Sequence, residues 1–134
     1  LLLQGFTDRT DYLEAYRLVD ITLDPFPFGG VTTSNEALWM GTPILTMQGD
    51  MFISRAGGSI LHNVGLEHWI ADTPRDYVKK AVAYSADLQA LSTLRKGLRE
   101  RFLSSPVCDA SQFARNLEDA FQGMWRKWCT QTKG

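Results

Sequence analysis

One stretch, residues 20–47, constrains the fold more than any other part of the chain. It opens with a short β-rich run at residues 20–24, and Pro25 ends that run because proline cannot donate a hydrogen bond to a sheet ladder. The glycine pair Gly29-Gly30 then permits a tight turn and a close backbone approach. The stretch therefore predicts a strand that leads through a glycine turn into the next element.

That next element is a predicted helix. Thr32 and Thr33 open it, and Gly41 is the residue expected just after its C-terminus. A second strand follows at residues 43–47, where Pro43 prevents the helix from continuing. A strand that enters a helix through glycines places free N–H groups and the positive end of the helix dipole at one point, which is the requirement of an anion site.

The whole chain alternates strands and helices in the same way. Apolar runs predict a parallel sheet covered by helices on both faces, the α/β class with a Rossmann-like arrangement. Three further helices follow the sheet, the first of them opened by Thr73 as N-cap, and Ser54 is predicted to cap an earlier helix. The predicted strands are 1–4, 20–24, 43–47 and 68–71, and the predicted helices are 9–18, 32–40, 55–64, 74–85, 87–103 and one that begins near residue 109.

Composition sets limits on the function. The 134 residues suffice for one domain, and a net charge of −1 gives no general attraction to nucleic acid or to an anionic membrane. Two cysteines form no disulfide framework, no Cys/His spacing of a metal site is present, and no apolar run is long enough to span a bilayer. We expect a cytoplasmic protein without nucleic-acid or membrane partners.

Two readings remain open for the residues at the predicted anion site. The segment Gly29–Thr33 is either an ordinary turn with a helix start or a cradle for a diphosphate. Glu36 stands three residues after Thr33, so its carboxylate is predicted to close a capping box on the Thr33 N–H, or alternatively to accept hydrogen bonds from ribose hydroxyls. Spacing alone does not decide between these readings.

The central stretch resembles a known pattern. Its leucine–aspartate pair, its glycine followed after one residue by two threonines, and the run Glu36-Ala-Leu-Trp-Met-Gly41 resemble the O-GlcNAc transferase / SPINDLY group of glycosyltransferases, family 41. Further matching pieces occur at residues 52–55, 98–101, 104–109 and 124–128, so the resemblance spans nearly the whole chain. It implies that residues 1–134 are the C-terminal part of the nucleotide-binding domain of a GT-B enzyme, with the other catalytic half and the tetratricopeptide repeats absent.

The resemblance also implies roles for individual residues. The two threonines contact the phosphates of UDP, the acid one turn later binds the ribose, and the first loop surrounds the uracil. The implied nucleotide-binding residues are Thr7, Arg9, Tyr12, Gly30, Thr32, Thr33 and Glu36. Related proteins commonly have histidine where Tyr12 stands, and often histidine or threonine where Val31 stands. We expect no catalytic residue and no metal ligand in this chain.

The resemblance thus implies an inverting transferase that moves GlcNAc from UDP-GlcNAc to Ser or Thr of an acceptor protein, without a metal cofactor. The chain alone is predicted to be inactive. One alternative is a sister transferase that uses another nucleotide sugar, such as GDP-fucose. The other is a degenerate module kept for protein binding, which the departures at Tyr12 and Val31 would favour.

Overall fold

A computed structural model describes residue 3 and residues 5–131 of the chain. Helices and strands alternate until residue 86, and two long helices follow. The elements are α1 (Arg9–Ala15), β1 (Thr22–Leu23), α2 (Thr32–Trp39), β2 (Ile44–Met47), α3 (Ala56–Val64), β3 (Ile70–Ala71), α4 (Pro74–Ala86), α5 (Leu88–Leu103) and α6 (Ala110–Gln131), with single 3₁₀ turns at Tyr16–Leu18, Ile53–Arg55, Glu67–Trp69 and Pro106–Cys108.

The three described strands form one parallel sheet in the order β1-β2-β3. Thr22 pairs with Ile44 in the first ladder, and Thr46 pairs with Ile70 in the second. The predicted parallel α/β fold is therefore confirmed for the strands at 20–24 and 43–47. The strand predicted at residues 1–4 lies largely outside the described residues.

The core lies where the helices cover this sheet. α3 and α4 pack on β2, and α5 packs on α2 and α4, so the C-terminal layer reaches the central helix. Most of its largest fully buried side chains are apolar, as expected for a parallel sheet between helices, and Thr42 is the polar one among them. They include Leu38, Ile44, Leu45, Leu61, Leu66 and Leu98.

Helix ends follow the sequence signals closely. Gly41 after α2 and Gly65 after α3 both adopt positive φ, at 77° and 72°, a region that glycine enters without a steric penalty. Thr73 caps α4, because its Oγ1 accepts a hydrogen bond of 3.1 Å from the Asp76 N–H. Asp109 likewise accepts from the Gln112 N–H at 2.8 Å at the start of α6.

Two element predictions were wrong in detail. Ser54 is not an N-cap, since it lies inside the 3₁₀ turn Ile53–Arg55 and its hydroxyl donates to the Met51 carbonyl at 2.8 Å. α3 therefore begins one residue late, at Ala56. The predicted strand at 68–71 shrinks to Ile70–Ala71, because His68 belongs to the preceding 3₁₀ turn.

α6 differs from the other long helices because none of its residues is buried. It packs against the turn Pro106–Cys108 and otherwise presents its apolar side chains to solvent. Among these, the rings of Trp125 and Trp128 stack at 5.2 Å. The exposed apolar face of α6, called the α6 stripe below, consists of Phe113, Leu117, Phe121, Met124 and Trp128.

Candidate functional site

The start of α2 lies beyond the carboxyl end of β1, at the edge of the sheet where α/β proteins bind their ligands. The side chains of Thr32 and Thr33 are exposed there. Among the described residues, the N–H of neither threonine donates a hydrogen bond. Two backbone donors and two hydroxyls are thus available to an anion at this helix start.

Gly30 has to be glycine for this arrangement. A Cβ built on Gly30 would lie 2.2 Å from Thr33 Oγ1 and 3.0 Å from Ser34 Oγ, far inside contact distance. The Ser34 hydroxyl donates to the Gly30 carbonyl at 3.0 Å, which fixes the turn against the first turn of α2. The glycine therefore allows the Thr33 hydroxyl to lie directly above the turn.

The N–H of Gly30 is not a free donor, which changes its predicted role. It donates to Asp24 Oδ1 at 2.7 Å. Asp24 is buried, with 4% of its surface exposed, and its other oxygen accepts from Thr46 Oγ1 at 2.7 Å. Gly30 thus shapes the candidate site while its N–H binds the protein itself. This role of Asp24 was not predicted, although an aspartate at a strand end just before a glycine turn was an available signal.

Glu36 does not form the predicted capping box. α2 begins at Thr32, which places Thr33 inside the helix, and no side chain caps this end. The Glu36 carboxylate instead pairs with Arg9 at 3.0 Å between Oε1 and Nη2. Glu36 is mostly buried, with 13% of its side chain exposed, whereas Arg9 is 74% exposed. This pair joins α1 to α2 and brings two predicted site residues together.

Tyr12 approaches α2 through a second tyrosine. The Tyr16 hydroxyl donates to the Thr33 carbonyl at 3.2 Å, so the Tyr12 hydroxyl, 2.8 Å away, donates to the Tyr16 oxygen. Burial, the Tyr12 contact and the Glu36 charge raise the pKa of Tyr16 well above the usual value of a tyrosine. Through these two hydrogen bonds the tyrosine pair links α1 to the start of α2.

Thr7 stands apart from this group. It lines a cavity of about 580 Å³ together with Tyr12, Tyr16 and residues 21–23 of the β1 segment. No hydrogen bond or ion pair connects Thr7 to Thr33 or Glu36 in the part of the chain that the structure describes. The structure thus groups Arg9, Tyr12, Thr33 and Glu36, with Gly30 and Thr32 beside them, and leaves Thr7 at the neighbouring cavity.

Metal-binding clusters and membrane-spanning helices are both absent from the described residues. Across residue 3 and residues 5–131, no group of three or more His, Cys, Asp or Glu side chains is placed to hold a metal ion. No helix in the same residues is both long enough and apolar enough to cross a membrane.

Comparison with known proteins decides the family. The model of "Glycosyl transferase family 41" matches residues 2–117. The chain belongs to this family. Among curated members of family 41, the chain is 44% identical over 119 residues to a protein of Solanum lycopersicum named "Probable UDP-N-acetylglucosamine--peptide N-acetylglucosaminyltransferase SPINDLY". That alignment covers 89% of the chain and 13% of the tomato protein.

Other family 41 proteins are similar over the same part. The chain is 31% identical over 129 residues to the protein named SEC in Arabidopsis thaliana, covering 93% of the chain and 13% of that relative. A solved structure of an O-GlcNAc transferase point mutant from Thermobaculum terrenum superposes with a TM-score of 0.84 at 39% identity, covering 94% of the chain and 24% of the solved one. The chain thus spans a small part of the length of the curated relatives it matches.

Proposed function

We propose that this family 41 chain provides the nucleotide-binding part of a protein O-GlcNAc transferase, with UDP-GlcNAc as donor and a Ser or Thr hydroxyl of a protein as acceptor. The single observation that carries the proposal is the start of α2, where the free N–H groups and hydroxyls of Thr32 and Thr33 lie one turn from the carboxylate of Glu36. The names of its relatives, which specify UDP-N-acetylglucosamine and a peptide, support it.

The chemistry assigned to these groups is recognition of the leaving group. When the sugar leaves, negative charge develops on the diphosphate, and fixed N–H and O–H donors offset that charge in place. Glu36 accepts hydrogen bonds from the two ribose hydroxyls, while Arg9 is free on its exposed side to approach the base. Tyr12 supports the same loop through Tyr16.

We propose that no metal takes part in this step, since donors of the protein provide the positive potential that a cation would otherwise supply. The chain alone is expected to bind nucleotide without transferring sugar, because no residue of the chain is assigned to the acceptor hydroxyl. We place the protein in the cytoplasm.

A transfer assay in EDTA, carried out on an active relative that carries this site, tests the metal proposal, and a loss of activity on chelation would contradict it.

Calorimetric titration tests the nucleotide assignment. We expect UDP and UDP-GlcNAc to bind the chain, and GDP and GDP-fucose to bind at least about tenfold more weakly, a difference of about 1.4 kcal/mol. A preference for GDP would instead support the sister transferase that uses GDP-fucose. No binding of any nucleotide would favour a module kept for protein binding.

A further inference from the structure

The carboxylate of Asp24 is buried without a cation. Both oxygens are hydrogen-bonded at 2.7 Å, one to the Gly30 N–H and the other to Thr46 Oγ1. Within the described residues, no lysine, arginine or histidine forms an ion pair with Asp24. Burying a carboxylate is costly unless hydrogen-bond donors replace its water shell. The bonds from Gly30 and Thr46 therefore offset part of the cost of desolvating Asp24.

The surrounding backbone makes room for this carboxylate. A Cβ on Gly29 would lie 2.8 Å from Asp24 Oδ2, and a Cβ on Gly57 in α3 would lie 2.8 Å from the same oxygen. The Asp24 backbone is fixed as well, since its N–H donates to the Leu45 carbonyl at 2.9 Å and its carbonyl accepts from the Tyr77 hydroxyl at 2.9 Å. Asp24 therefore connects the glycine turn to β2, α3 and α4.

This connection decides which donors face the ligand. Asp24 holds the Gly30 N–H toward the sheet, and the turn then enters α2 with the Thr32 and Thr33 N–H groups unpaired. A negative charge near a diphosphate is unfavourable in itself, so the benefit of Asp24 to an anion site has to come from geometry. A carboxylate has no N–H to donate, so the Gly30 N–H and the Thr46 hydroxyl are both donors to Asp24.

We propose that Asp24 is a positioning residue of the nucleotide site, which sets the glycine turn so that Thr32 and Thr33, and not Gly30, present their backbone N–H groups to the diphosphate. This inference rests on the proposed function. Asp24 itself does not touch the nucleotide. It acts through Gly30, and its removal disorders the donors on which the diphosphate depends.

The test measures the turn and the ligand separately. NMR hydrogen exchange reports the protection of the Gly30 amide, and calorimetry reports the Kd for UDP, both on the 134-residue chain. We expect Asp24→Ala to lower the Gly30 protection and the UDP affinity together, each by about tenfold or more. Asp24→Asn retains one acceptor oxygen for Gly30, and its amide can donate to Thr46, so both quantities should stay within about threefold of the parent.

Two variants complete the design. Asp20→Asn, at the exposed opposite end of the β1 segment, is the matched control and should change neither quantity. If Asp24→Ala does not fold, Thr46→Val takes its place: it frees Asp24 Oδ2, and we expect Gly30 protection and UDP affinity to fall in parallel.

The outcomes separate the two proposals. Loss of Gly30 protection with an unchanged UDP Kd, in either variant, overturns the positioning role and leaves the nucleotide site intact. Unchanged Gly30 protection in Asp24→Ala also overturns it, because the hydrogen bond would then not hold the turn. A parent chain that binds no UDP while its Gly30 amide is protected shows that the proposed function has failed, and the role of Asp24 toward a nucleotide fails with it.

Discussion

At the scale of single residues, Glu36 already has an ion-pair partner, Arg9, at the place where the proposed function puts the ribose. Its carboxylate is mostly buried and pairs with the exposed Arg9. An ion pair with one exposed partner contributes only about 0–1 kcal/mol, so exchanging Arg9 for ribose hydroxyls costs little stability. The Glu36 carboxylate can therefore exchange Arg9 for the two hydroxyls of a ribose at little cost, as ribose recognition requires.

Glu36→Gln separates the ribose role from the structural one. The substitution keeps the shape of the side chain and removes the charge that two hydroxyl donors would share, so we expect UDP affinity to fall by about tenfold. The melting temperature should fall by only a few degrees, about the loss of one weak pair. Glu14→Gln is the control, because it removes the exposed Glu14–Arg17 pair away from the site. Calorimetry that gives the parent's Kd for Glu36→Gln would show that the ribose assignment is wrong.

Tyr77 gives a prediction in alkaline pH. Burial, with a smaller contribution from the Asp24 charge, raises the pKa of Tyr77 from 10.0 to about 12. A group whose pKa is higher in the folded state stabilises the fold fully below its unfolded pKa and loses that contribution as pH rises toward the folded value. We therefore expect the free energy of unfolding to fall between pH 10 and about 12 as the hydroxyl ionises.

Tyr77→Phe is the matching variant. It should cost about 1 kcal/mol at pH 7 through the lost hydrogen bond to the Asp24 carbonyl, and it should reduce the alkaline slope. Tyr84→Phe, which also loses a bond to a backbone carbonyl, is the control and should keep the slope due to Tyr77. Urea unfolding at a series of pH values measures both, and an unchanged slope in Tyr77→Phe would contradict the assignment.

At the scale of elements, the contact between α3 and the end of β2 decides how closely helix and sheet approach. Gly57 lies in α3 where a Cβ would be 2.6 Å from Thr46 Oγ1 and 2.8 Å from Asp24 Oδ2. A glycine inside a helix costs about 0.5–1 kcal/mol relative to alanine, so a packing reason is needed to retain it. The reason here is the buried polar group at the sheet edge.

Gly57→Ala should therefore destabilise the chain by about 1–3 kcal/mol, since overpacking outweighs the gain in helix propensity. Gly97→Ala in α5 is the control with the opposite sign. A Cβ on Gly97 meets nothing within 4 Å, so we expect a gain of about 0.5–1 kcal/mol. Chemical denaturation of both variants checks the pair, and a stabilised Gly57→Ala would show that α3 can move away from β2.

Much of the element pattern could be predicted from the sequence because its signals are local. Gly41, Gly65 and Thr73 act through their own φ angle or their own cap, and the structure confirms all three. The capping roles considered for Glu36 and Ser54 were wrong, because the fold gives Glu36 an ion-pair partner 27 positions away and places Ser54 inside a 3₁₀ turn. Asp24 had a local signal in the glycine turn that follows it, but its second partner, Thr46, lies 22 residues further on, so its full role could not be predicted from local sequence.

At the scale of the whole molecule, the α6 stripe exposes large apolar side chains, with Phe113, Phe121 and Met124 each more than half exposed. Its charges are divided along the helix. The first half carries Asp109, Glu118 and Asp119 against Arg115, a net charge of −2, and the second half carries Arg126 and Lys127, a net charge of +2. An antiparallel pair of such helices places unlike halves side by side and Phe121 opposite Met124 of the second copy.

The 134-residue chain is therefore expected to self-associate through the α6 stripe at high concentration. Sedimentation equilibrium should show a concentration-dependent dimer, and Phe121→Gln should weaken it by about tenfold because it removes a large apolar contact at the centre. Gln122→Ala, which the helical repeat places on the far side of α6 from the stripe, is the control and should change nothing. A chain that stays monomeric at millimolar concentration would contradict the prediction.

The bond from the Tyr77 hydroxyl to the Asp24 carbonyl also has a consequence for synthesis on the ribosome. It joins residues 53 positions apart, so the segment before the glycine turn receives this anchor only after the first turn of α4 has been translated. A nascent chain that ends before residue 77 already contains all the residues predicted to contact the nucleotide. It lacks the Tyr77 hydrogen bond that fixes the backbone just after β1. We expect nucleotide to be recognised late during translation, and the growing chain to remain open to chaperones until α4 has folded onto the sheet.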